Sequence, residues 1–147
     1  MTYDTVELKI CQNQGRLYRF VANLGYNMKD FSNAYLASDF CKRAMDTTYS
    51  RFQLHDEQEI LDFLMPEIQE KCSRMNENEM FNPEVAYWIG FTYRQLYYET
   101  ELLSKDLAKQ FQFSDICATY GGLHTVDEEM ATDILCENRG IKKTGRW

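Results

Sequence analysis

The chain has 147 residues, 44% of them apolar and 14% aromatic, and a formal charge of −7. That length suits one domain with a sizeable core, and the composition excludes intrinsic disorder. The last nine residues contribute +4 through Arg139, Lys142, Lys143 and Arg146, leaving −11 on the rest, a balance that disfavours nucleic-acid binding through the body and suits a basic protein partner.

In chain order, Asp4 and Glu7 stand at capping-box spacing. Val6, Ile10, Leu17, Val21 and Leu24 then recur on one face of a first helix that Gly25 ends. Gly15 weakens the middle of that helix by about 1 kcal/mol relative to Ala. Asn27 caps a second helix that reaches about Met45, with Met28, Phe31, Tyr35 and the side from Ala34 to Cys41 facing inward. Thr47-Thr48-Tyr49-Ser50 reads as a loop. A third helix starts near His55-Asp56 and carries Ile60, Leu61, Phe63 and Leu64. Pro66 cannot donate a backbone hydrogen bond and disfavours helical geometry at Met65, so a break or kink is expected there. A short helix from Glu67 to about Arg74 and a polar connection over Asn76–Glu79 follow.

Asn82-Pro83-Glu84 is a strong helix start: Asn is a preferred cap, and Pro costs nothing at the first helical position. From Val85 to Tyr98 the run is almost wholly apolar, broken by Arg94. A helix apolar nearly all round belongs at the centre of a bundle, and Gly90 would let a neighbouring helix approach. Ser104 caps a helix over Lys105–Phe111, and Ser114 opens a piece that stops at Gly121-Gly122. Thr125 with Glu128 makes a second capping box. Val126, Met130, Ile134 and Leu135 are the expected buried edge of the last helix, which Gly140 ends. No alternating run bounded by turns suggests a strand, and no fixed-period repeat appears. The fold expected is therefore all-α: one compact bundle of six or seven helices around a central apolar helix at about 83–101. Residues 1–138 form the domain and residues 139–147 a basic C-terminal tail.

Few residues carry chemistry. Arg94 is either paired internally, with Glu101 or Asp133 the expected acids, or an anchor for an external carboxylate or phosphate. Tyr93 stands beside it. His124-Thr125 follows a double glycine; His124 either braces that turn or serves as a general base, but no nucleophile motif accompanies it. Trp147 ends a tail that is either frayed or a docking peptide for an acidic groove. His55-Asp56-Glu57 and Asp127-Glu128-Glu129 lack metal-ligand spacing, Glu-x-x-His is missing, and no phosphate loop is present, so neither a metal nor a cofactor is expected. The five cysteines, Cys11, Cys41, Cys72, Cys117 and Cys136, include no Cys-x-x-Cys pair and read as free, buried thiols of a reducing compartment. The first residues do not resemble a signal peptide and no run is long enough to span a membrane. A cytoplasmic location is expected.

The order Trp88-Ile89-Gly90-Phe91-Thr92-Tyr93-Arg94, then Ser104-Lys105-Asp106-Leu107, then Tyr120-Gly121-Gly122-Leu123-His124-Thr125, then a closing helix, resembles a small uncharacterised bacterial helical family. The stretch from Leu103 to Leu135 is similar to the helical module of a second such family with a Leu-His-Thr turn. These families are often encoded beside predicted toxin genes, ADP-ribosyltransferase-like ones among them. The resemblance covers about a third of the chain and implies an accessory or antitoxin-like protein; the leading expectation is a non-enzymatic protein that binds, and neutralises or regulates, a protein partner. The other reading is a small enzyme or ligand binder with a pocket around Arg94 and His124. The two differ in whether those side chains converge on an open cavity.

Overall fold

The structure, a computed structural model, describes residues 5–144. It is all-α, with seven α-helices: α1 (Thr5–Asn23), α2 (Met28–Leu36), α3 (Glu57–Ile68), α4 (Pro83–Glu99), α5 (Ser104–Gln110), α6 (Phe113–Leu123) and α7 (Glu128–Arg139). No strand occurs among the described residues, only an isolated bridge between Tyr26 and Arg74. None of the described helices is long and apolar enough to cross a membrane.

The expected central helix is present, but α1 shares the centre with it. From Ile89 to Glu99 every residue of α4 is buried. The two helices come close because glycines face the partner on both. A Cβ on Gly90 would lie 2.7 Å from the Gln14 carbonyl oxygen and from Tyr18 Cγ. One on Gly15 would lie 2.9 Å from the Tyr87 ring. The helix-weakening glycine of α1 is thus the complement of the one in α4. Tyr18, Phe31 and Tyr35 pack edge to face and stacked beside this seam, joining α2 to it.

Local signals account for most boundaries. The Asn27 side chain accepts from Asp30 N, the Asp56 side chain from Glu59 N, and the Asn82 side chain from Glu84 N and Val85 N. Gly140, at φ 66°, closes α7 in the left-handed region, with its N–H donating to Cys136 O and Glu137 O. The Asp4–Glu7 box lies outside the described residues.

Several expectations need correction. The second helix stops at Leu36; after a bend the chain forms one π-helical turn, Cys41–Met45, closed by Asp46 N donating to Cys41 O. Pro66 does not break the third helix: α3 continues to Ile68, followed by a single 3-10 turn, Gln69–Lys71, in place of a short helix. The carbonyl that Pro66 leaves without its helical donor belongs to Asp62, an exposed residue, while buried Leu64 and Ile68 hold the helix down. Glu67 adds a tie across to the segment after α2, accepting from Asp39 N and Phe40 N. The double glycine does not end α6, which runs through to Leu123. Ser104 is the first residue of α5 and not its cap, because its hydroxyl is taken by Asp46. The box of Thr125 with Glu128 does not form; Asp127 caps α7 by accepting from Glu129 N. Met130 is 53% exposed, and the buried edge of α7 is Ala131, Thr132, Leu135 and Cys136. Val6 and Leu24 likewise lie at exposed ends of their stripe, whereas Ile10, Leu17 and Val21 are buried.

Candidate functional site

Arg94 is wholly buried, and its partner is neither Glu101 nor Asp133. Its Nη1 lies 2.9 Å from Asp46 Oδ1, the residue that follows the π-helical turn. The remaining donors are also spent inside the chain: Nε on Gln14 Oε1 at 3.0 Å, Nη1 also on Met45 O at 3.3 Å, and Nη2 on Ser104 Oγ at 3.2 Å and Cys41 Sγ at 3.6 Å. The Tyr97 ring covers the guanidinium at 4.7 Å. Asp46 is satisfied in turn by Ser104 N and Ser104 Oγ, and Gln14 takes the Tyr35 hydroxyl and donates to Gly90 O. Burial opposes the charge on Arg94, but Tyr35, Cys41 and Asp46 outweigh it and hold the group protonated. This is a closed ion-pair network tying α1, α2, α4 and α5 together, and it presents nothing to solvent.

Tyr93 is spent structurally as well, donating from its hydroxyl to Phe111 O at 2.6 Å. His124 and Thr125 are exposed. His124 follows the last residue of α6; with its proton on Nδ1 it donates to Tyr120 O at 2.6 Å, and its ring stacks on Tyr120 at 4.2 Å. Trp147 lies outside the described residues. Arg94 and His124 therefore do not converge on one cavity.

A second buried network was not expected. Glu99, at the end of α4, accepts from Thr132 Oγ1 and Gln95 Nε2 and pairs with Lys143 Nζ at 3.0 Å. Lys143 also reaches Asp133 at 2.7 Å and Glu129 O at 3.1 Å, while Thr144 N donates to Glu99 O. Part of the basic tail is thus laid against the body. A signal for both networks existed: Gln14, Gln95 and Glu99 interrupt apolar stripes at helical spacing, and a polar residue on a buried face demands a partner. The identities of Asp46, Ser104 and Lys143 as those partners had no local signal.

Two of the concave features on the described surface are lined by several aromatic rings. His124 stands at the edge of a cavity of about 140 Å3 between α1, α4 and the start of α7, lined by Tyr87, Trp88, Phe91, Thr92, Gln95 and Glu128 among others. A groove of about 310 Å3 elsewhere on the surface is lined by Phe40, Arg43, Phe52, Phe63, Asp39 and Glu67 with Ala44. In it Phe52 packs on Phe40 at 5.4 Å and on Phe63 at 4.9 Å, with Arg51 over the Phe52 ring. His55 flanks these rings, with Nδ1 3.1 Å from Glu59 Oε2 at an angle poor for a hydrogen bond.

The cysteines are free thiols. Cys41 is pushed up to about 11 by burial, against the pull of Arg94, and Cys136 to about 11, again chiefly by burial. Neither is an activated nucleophile. Among the described residues no three His, Cys, Asp or Glu side chains stand together as metal ligands. Comparison with family models, curated protein sequences and solved structures finds no match to this chain.

Proposed function

We propose that this protein is a non-enzymatic, antitoxin-like binding partner that covers a basic face of another protein. The observation that carries this reading is the aromatic groove on α3. Phe63 is 57% exposed and Leu54, nearby in sequence, 48%. An exposed aromatic packed on half-buried ones, with arginines beside them, belongs to the residue types that anchor interfaces. Between Asp56 and Glu70 the chain carries six acids and no Lys or Arg, so the surface around Phe63 favours a positive partner. The reaction chemistry an enzyme would need has weaker support: Arg94 and Tyr93 are enclosed and satisfied, and His124 is held by Tyr120. The resemblance to families encoded beside ADP-ribosyltransferase-like toxin genes supplies the partner to try first.

The test is calorimetric titration of the purified protein with the product of such a neighbouring gene, over a range of salt concentrations. Tight binding that weakens with salt is expected. Phe63→Asp, at a site whose exposure spares the fold, should weaken it about tenfold or more. Unchanged binding by the variant would exclude the groove as the interface. Failure to bind the neighbouring product at low salt would sink the antitoxin-like reading.

A further inference from the structure

The cavity between α1, α4 and α7 contains two polar atoms on residues that are otherwise enclosed. Thr92 and Gln95 are 2% and 1% exposed, and both line it. The Gln95 amide nitrogen is committed to Glu128 O at 2.8 Å, Thr132 Oγ1 at 3.3 Å and Glu99 Oε2 at 3.3 Å, which fixes the orientation of the amide. That leaves its Oε1, which can only accept, and the Thr92 hydroxyl on the cavity side, where solvent reaches them. A ligand donor entering the cavity would take the place of water at these atoms.

The surroundings narrow what that donor is. Tyr87, Trp88 and Phe91 supply aromatic walls, and Glu128 supplies a carboxylate at the mouth. Burial first, and then the charges of Asp127 and Glu99, push the Glu128 carboxyl above its ordinary range, and a cation brought beside it would act in the opposite sense. The volume, about 140 Å3, is well under the roughly 300 Å3 of pockets for whole small molecules and suits the end of a side chain. Among cationic end groups a guanidinium fits best: planar enough to slide between rings, weakly hydrated, and carrying several donors for Thr92, Gln95 and Glu128 at once. The chain already uses this pairing nearby, where Arg19 stands 5.1 Å from the Tyr87 ring centre.

We propose that this cavity is a binding site for the guanidinium of an arginine side chain presented by a protein partner. The site rests on the protein-binding reading only for the source of that arginine; its chemistry is testable without any partner.

The test is a titration of the full chain with N-acetylarginine amide and, separately, methylguanidinium, followed by NMR on the Trp88 indole resonance, with Trp147→Phe removing the other indole. Saturable shifts are expected with both ligands, the arginine amide binding at least as tightly. Thr92→Val, nearly isosteric, and Glu128→Gln should each weaken binding about fivefold or more, with folding verified by circular dichroism. No saturable shift with either ligand, or equal binding by both variants, would overturn the site whether or not a protein partner binds elsewhere. Binding of methylguanidinium alone would assign the cavity to a free small cation and overturn the side-chain assignment.

Discussion

At the residue scale the largest single dependence falls on the Arg94–Asp46 pair. Arg94→Met is expected to cost about 3–5 kcal/mol in chemical denaturation, because it strands a carboxylate whose side chain is 3% exposed. The double variant Arg94→Met with Asp46→Leu should recover a good part of that loss, since the cost comes from the unpaired charge more than from the missing attraction. A double variant no better than the single would show that Gln14 and Ser104 need the guanidinium for itself. Glu128 behaves in the opposite sense. Its carboxyl is raised in the folded chain, so between the ordinary carboxylate range and that raised value the native state holds the extra proton. Stability therefore rises as pH falls through this window. Glu128→Gln removes the charge that folding disfavours. The variant should melt higher than the parent at neutral pH, with the gain shrinking to nothing below the ordinary carboxylate range.

At the element scale the glycines separate by what faces them. Gly90→Ala places a methyl 2.7 Å from the Gln14 carbonyl oxygen and should cost about 1–3 kcal/mol or more, as overpacking does when backbone must move. Gly121→Ala and Gly122→Ala meet nothing within 4 Å in the exposed last turns of α6 and should each stabilise by about 0.5–1 kcal/mol. Thermal melts of the three variants in parallel give the contrast directly; a destabilising Gly121→Ala would mean that the α6 end is not helical in solution. The short C-terminal strap is a further element. Lys143→Met removes the cation from buried Glu99 and frees the segment that Thr144 N anchors, so the Thr144 amide should lose its hydrogen-exchange protection.

At the scale of the whole molecule, thiol accessibility reports how the bundle opens. Cys72 and Cys117 are half-buried, whereas Cys11, Cys41 and Cys136 are buried in the core. In the native protein a thiol reagent should modify Cys72 and Cys117 first, slowly, since burial holds both thiols above their ordinary range. The other three should react only at the rate of opening, and all five at once in denaturant. Early modification of Cys41 would mean that the Arg94 network opens locally.

Residues near one another in sequence settled the fold class. The caps at Asn27, Asp56 and Asn82, the glycines at 25 and 140, and the apolar run into which Arg94 is set all act within a turn or two of helix, and their physics is the same in any context. Signals that compete with packing were decided by the tertiary structure. Pro66 lost because buried Leu64 and Ile68 hold its helix down, and the expected cap Ser104 was claimed by Asp46, 58 positions away; the double glycine, in exposed turns with nothing packed on it, simply continues α6. The site followed the same division. That a buried arginine needs a partner is legible from one helix; that the partner is Asp46, and that His124 stands at a cavity Arg94 does not line, depends on how α1 and α4 bring distant residues together, and no local pattern encodes those distances.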